Sequence, residues 1–284
     1  MRNRYFNILF LLLVAWPTLT GQDRIEPAAH HSDENYDCSE KEQCFQSGER
    51  ITYVVYYNWG FLWVSAGEVT FSVKEDSQGY HLVCDGSSYS SYDWFFSVDN
   101  RYESFIDKES FLPFLSIRDV KEGNYQKYEE VEYDRSNHTA WTRRATTKED
   151  PLNTTTSEID YCVHDLLSII YYARSSPWRG NAQVGYEIPV DLFFGKEQYD
   201  LALTYRSHEP EKRIKKLGVY DVLQFSPELI EGELFSEGDE MNIWVTNDAN
   251  KLPVLIESPL SVGKVKVVLK DYEGLKYELK ARVK

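Results

Sequence analysis

From residue 49 onward, short runs rich in β-branched and aromatic residues alternate with turn signals, a rhythm that predicts strands. The runs at 49–58 (ERITYVVYYN) and 63–74 (WVSAGEVTFSVK), parted by Trp59 and Gly60, predict the first two. Further strands are predicted at 80–89, 95–106, 114–121, 127–133 and 138–144, with turn signals at 122–124 and 135–137 spaced as in a meander. A second set is predicted at 186–193, 198–205, 218–225, 241–246, 252–258 and 263–272. Alternation sets Tyr128, Glu130, Glu132 and Asp134 on one face and Glu129, Val131 and Tyr133 on the other. Likewise Lys264, Lys266 and Val268 alternate with Val265, Val267 and Leu269, one wet face and one dry. Gly67, inside the second run, predicts a bulge or bend, because no helix follows it.

One stretch carries the helical period instead. In 160–174, Val163, Leu166, Leu167 and Ile170 fall at i, i+3, i+4 and i+7; Asp160 is placed to cap the start, and Arg174 with Pro177 to stop it. The polar segment 150–158 reads as the loop leading in. The fold class expected is all-β: a large antiparallel curved sheet or barrel-like meander, with one amphipathic helix packed on its concave side.

The start of the chain has a different pattern. Arg2 and Arg4 precede an apolar run at 8–16, followed by Pro17 and small polar residues, which reads as a cleavable signal peptide over 1–21. The run is about half the ~20 residues that a spanning helix needs, and no cysteine follows it to be acylated as in a lipoprotein. A polar, acidic leader is expected over 22–48 and a single β-rich domain over 49–284. The expected location is the periplasm, without a stable membrane anchor, and the protein is expected to be a monomer.

Composition sharpens this picture in two respects. The formal charge is −15, which argues against nucleic acid as a partner, since phosphate binding needs a cationic face. Aromatic residues reach 15%, with 21 Tyr, 14 Phe and 7 Trp, side chains that can place a flat apolar body against a ligand. The four cysteines, Cys38, Cys44, Cys84 and Cys162, suggest disulfides in an oxidising compartment. Pairing Cys38 with Cys44 closes a short loop and leaves Cys84 with Cys162, although those two equally read as separate buried thiols.

Four segments together resemble the exported bacterial family catalogued as domain of unknown function 3108. They are YVVYYNWGFLWVSAGEVTF with its Ala66 and Gly67, RYESFIDKESFLPFLSIRDVKEG, DLLSIIYYAR and IWVTNDANKLPVLIESPLSVGKVKVVL. The resemblance implies an all-β exported protein and transfers no catalytic residue. In pattern only, the chain is also similar to periplasmic lipoprotein carriers of the LolA type, whose curved sheet and inner helix enclose an apolar cavity.

Candidate chemistry is sparse. Asp160, His164 and Asp165 form the most chemical-looking cluster, the first two spaced to share a helix face suited to a metal, but capping by Asp160 and solvation or hydrogen bonding of His164 are the favoured explanation, and no metal or other cofactor is expected. No phosphate loop, nucleophile elbow or zinc-protease helix occurs in the sequence. Trp59 and Trp63, and Trp94 with Phe95, form aromatic groups that either guard a cavity mouth or belong to the core. Ile170 and Tyr171 on the helix complete the candidate ligand contacts. The reading that follows is a non-catalytic envelope binding or carrier protein with an apolar cavity for a lipid or other amphiphile. The alternatives are a glycan-binding protein that stacks polysaccharide on exposed aromatic hairpins, and a hydrolase using paired carboxylates.

Overall fold

The computed structural model of the protein describes residue 38 and residues 41–284, except 60–61, 93–96, 178–182, 231–234, 236–237 and 261–262. The proposed signal peptide, most of the leader, Trp94, Phe95 and the Trp59 side chain therefore lie outside the described residues. Eight strands come first: β1 (Arg50–Trp59), β2 (Leu62–Glu75), β3 (Gly79–Ser88), β4 (Asp99–Asp107), β5 (Pro113–Glu122), β6 (Tyr125–Asp134), β7 (Thr139–Ala145) and β8 (Asn153–Glu158). After helix α1 (Ser168–Ser175) come β9 (Glu187–Phe194), β10 (Glu197–Ile214), β11 (Gly218–Pro227), β12 (Asn242–Thr246), β13 (Pro253–Pro259) and β14 (Lys264–Glu273).

All fourteen strands form one curved antiparallel sheet in the order β8-β7-β6-β5-β4-β3-β2-β1-β14-β13-β12-β11-β10-β9. Alternation decides which side faces in. In β6, Glu129, Val131 and Tyr133 are buried while their neighbours are only partly so, and in β14 Val265, Val267 and Leu269 are buried between wetter residues. Gly67 sits where expected, at a bulge: Val55 pairs with Gly67 but Tyr56 with Ser65, leaving Ala66 as the extra residue. The long β10 shifts register twice against β11, and such irregularities increase twist and help the sheet to curl. The concave side is filled by a core including Leu82, Ile106, Val222, Leu252, Val254 and Val265, all fully buried. Each such side chain stabilises by about 1.5–3 kcal/mol relative to exposure.

The sheet does not close on itself, because β8 and β9 are its two edges. The gap between them is bridged by residues 159–167, which act as a strap. Ile159 donates its amide to the His138 carbonyl just before β7 (3.0 Å); at the other edge His164 donates to the Asp191 carbonyl (2.7 Å) and accepts from the Phe193 amide (2.8 Å) on β9. Arg135 fastens the strap from below, donating to the carbonyls of Tyr161 (3.0 Å), Val163 (3.1 Å) and Pro113 (2.7 Å). Elsewhere the two edges meet through side chains: Ser157 Oγ donates to the Lys196 carbonyl (3.0 Å), and the Asp160 carboxylate accepts from Gln198 Nε2 (2.6 Å).

Three sequence expectations change here. The helix is shorter than 160–174, because the backbone of His164 is spent on pairing with β9 instead of on a helical turn. It begins only after Asp165, whose carboxylate accepts the amides of Leu167 (2.7 Å) and Ser168 (3.1 Å). The segment 150–158 is not merely a loop, since 153–158 forms the edge strand β8, paired with β7. Finally, the disulfide joins Cys38 to Cys162, across 124 positions, while Cys44 and Cys84 are free thiols. The pairings Cys38–Cys44 and Cys84–Cys162 fail because Cys44 and Cys84 are packed in the main core, whereas Cys38 and Cys162 meet in a second cluster beneath the strap.

Candidate functional site

Inward alternation on β5, β6 and β7 brings three charged residues into one cross-strand row, Arg118 opposite Glu129 and Glu129 opposite Arg144. Lys127 lies two residues before Glu129 on the same face of β6. Glu129 is the hub. Arg118 Nη2 lies 3.1 Å from its Oε1 and Lys127 Nζ 3.2 Å from its Oε2, and Arg144 Nε donates to that second oxygen. The Arg118 guanidinium also lies over the Phe194 ring, 4.7 Å from its centroid. Burial alone would raise the Glu129 pKa, but Arg118, Lys127 and Arg144 together hold it below the usual carboxylate range. Lys127 is brought down to about 8, chiefly by burial and then by Arg118.

Beside this row is a cavity of about 20 Å³, room for one water molecule. Arg118 and Glu129 form part of its wall; Val131, Leu166, Leu167 and Phe193 supply an apolar part. Across it stands Asp165, fully engaged by the Ser104 hydroxyl (2.5 Å) and the first helical amides, its pKa raised by burial. The cavity lies under the seam: Arg144 reaches past Glu129 to the carbonyl of Gly195, the first residue of the tight β9–β10 turn. Gly195 has φ of 72°, a conformation that favours glycine at that place in a two-residue hairpin. An open groove of about 640 Å³ lies nearby and is lined by Trp141, Phe114, Glu132 and Asp134.

The residues singled out from the sequence do not converge on this place. Tyr171 is locked in the core, its ring 5.0 Å from that of Phe45, and Ile170 is half-buried against the same core. Leu167 points into that core as expected, while Leu166 is half-buried on the cavity wall. Trp63 is 42% exposed on the outside, with the Lys266 ammonium 4.7 Å from its ring centroid. Asp160 and His164 do not share a helix face: Asp160 is exposed and bonded to Gln198, while His164 is fully buried, its ring 4.4 Å from that of Tyr172. Among the described residues, the space beneath the seam is confined to that small cavity, with Tyr102, Val131, Leu167 and Phe193 packed around it. Sequence reasoning missed Arg118, Lys127 and Arg144. The available signal was Glu129, a carboxylate placed by alternation on the face of Val131 and Tyr133.

No curated protein matches the sequence. Among solved structures, the chain is similar to the beta-barrel-like protein of domain of unknown function DUF1849 from Brucella abortus. The two are 8% identical, with a TM-score of 0.51 over 82% of this chain and 99% of that one, a likeness of fold. The family described as Protein of unknown function (DUF3108) matches residues 52–270, which include every strand that builds the seam and the charged row, and the chain belongs to that family.

Proposed function

We propose that the protein is a non-catalytic binding or carrier protein of the bacterial periplasm, and that it accepts a lipid or other amphiphile beneath the seam. The observation that carries this reading is the position of the cavity. It lies directly behind the part of the wall where the two sheet edges meet mainly through side chains and one strap instead of a continuous ladder. Parting that seam costs fewer backbone hydrogen bonds than parting two paired strands, so the cavity can be enlarged there without breaking a strand ladder. The Cys38–Cys162 bond supports an exported protein, since disulfides persist in oxidising compartments. Among the described residues no helix is long and apolar enough to cross a membrane, which is compatible with a diffusing carrier.

The test is direct. Organic extracts of the protein purified from its native envelope fraction are expected to contain an amphiphile in stoichiometric amount, and the emptied protein is expected to take up a fluorescent fatty acid. Protein that arrives empty and takes up none overturns the proposal.

A further inference from the structure

We propose that the open groove on the outer face of β5, β6 and β7 is a binding site for a neutral saccharide, separate from the cavity beneath the seam. Alternation builds its floor. Leu115, Glu132 and Trp141 stand in one cross-strand row, and Glu132 and Trp141 each lie between buried neighbours on their own strands, so both point outward. A bulge adds a second ring. Phe105 pairs with Leu115 but Ile106 with Pro113, which leaves Phe114 as the extra residue, and such bulges re-aim a side chain. The Phe105 ring supports Phe114, with 6.3 Å between their centroids. Phe114 and Trp141, 36% and 37% exposed, thus both line a groove of about 640 Å³. That volume falls within the roughly 300–1,000 Å³ of small-molecule sites.

The polar groups narrow the ligand class. Glu132 meets Arg143 through Oε1, and among the described residues neither its Oε2 nor the Trp141 indole N–H has a hydrogen-bond partner. Because the two residues are directly paired, an acceptor and a donor stand side by side against an aromatic face. A sugar hydroxyl both donates and accepts, and the C–H face of a sugar ring packs on an aromatic ring. Charge removes the competitors. Asp107, Glu132 and Asp134 line the groove with one guanidinium, Arg135, a balance that repels an anion. A cation gains little, since Arg143 already meets Glu132, Ser110 engages Asp107, and Ser136 and Asn137 engage Asp134. A wholly apolar ligand would strip water from these carboxylates without replacing it.

Screening the intact protein on an array of neutral, acidic and cationic glycans, then titrating it calorimetrically, tests the proposal. The probes are the best neutral trisaccharide, trigalacturonate, trilysine and tetramethylammonium. The neutral trisaccharide is expected to bind about tenfold or more tighter than the charged probes. Trp141→Ala and Phe114→Ala are each expected to weaken it about tenfold, and Trp141→Tyr to keep most of the affinity. Thermal melts identify a variant that has lost its fold, and the ligand series on the unaltered protein decides the question without any variant. An array on which no neutral glycan binds, or a charged probe that binds as tightly as the trisaccharide, overturns the site. So does binding that survives in folded Trp141→Ala and is lost in Trp63→Ala. Fatty-acid uptake is measured separately, so the amphiphile reading stands or falls on its own test.

Discussion

Arg174 carries its charge into the main core at the end of the helix, where the Glu49 carboxylate meets it. Glu49, at the mouth of β1, accepts from both of its terminal nitrogens at 2.8 and 3.1 Å, and the Asn250 carbonyl accepts a further bond at 3.2 Å. Changing Glu49→Gln leaves that guanidinium buried without a counter-charge, and denaturant melts should show a loss of about 3–5 kcal/mol. The double variant Glu49→Met, Arg174→Met should recover much of it; equal losses in both would show that packing rather than charge holds the helix end. His164 gives a pH signature. Burial, with Arg135 and Lys41 nearby, lowers its pKa from the ordinary 6.5 of a histidine to about 3. Between those values the unfolded chain binds more protons than the folded one, so its contribution to stability is full above about pH 6.5 and falls as pH drops towards 3. His164→Gln should therefore lose less melting temperature than the original protein between neutral pH and pH 4, and an unchanged acid loss would sink this assignment. Such residues are only half legible in sequence. The alternation around Val131 put Glu129 on the dry face, but a dry carboxylate does not say which strand supplies its cations.

At the scale of elements, the strap holds the seam. It is fixed to β9 by His164, to the hairpin of β6 and β7 by Arg135, and to the leader by the Cys38–Cys162 bond. Reducing that bond frees a segment of 124 residues in the unfolded chain and should lower stability by about 2–5 kcal/mol, read as a shift in the melt with and without reductant. An unchanged melt would mean that the strap is held by its hydrogen bonds alone. Cys44 and Cys84 are buried and should stay unreactive towards a thiol reagent until the protein unfolds. The strand positions followed from the two-residue period because it reports burial directly. The strap escaped because its apolar residues happen to fit a helical stripe, and only the neighbouring edge of β9 reveals that its backbone groups are wanted elsewhere. β8 escaped for the opposite reason: NTTTSE has no apolar face to alternate, since an exposed edge strand needs none.

Over the whole molecule, the all-β curved sheet was legible from the number and spacing of the strands, while its order was not, since pairing partners distant in sequence leave no local mark. That order divides the chain into two runs. Strands β1 to β8 each pair with the next in sequence, as do β9 to β14, and only the contact between β1 and β14 joins the two runs within the sheet. Neighbouring strands joined by short turns close small loops and form early, whereas β1 must wait for a partner more than two hundred residues later. During synthesis the first strand therefore presents an open, aromatic-rich edge until the last strand emerges, and the β1–β14 zipper is the step at which folding competes most directly with aggregation.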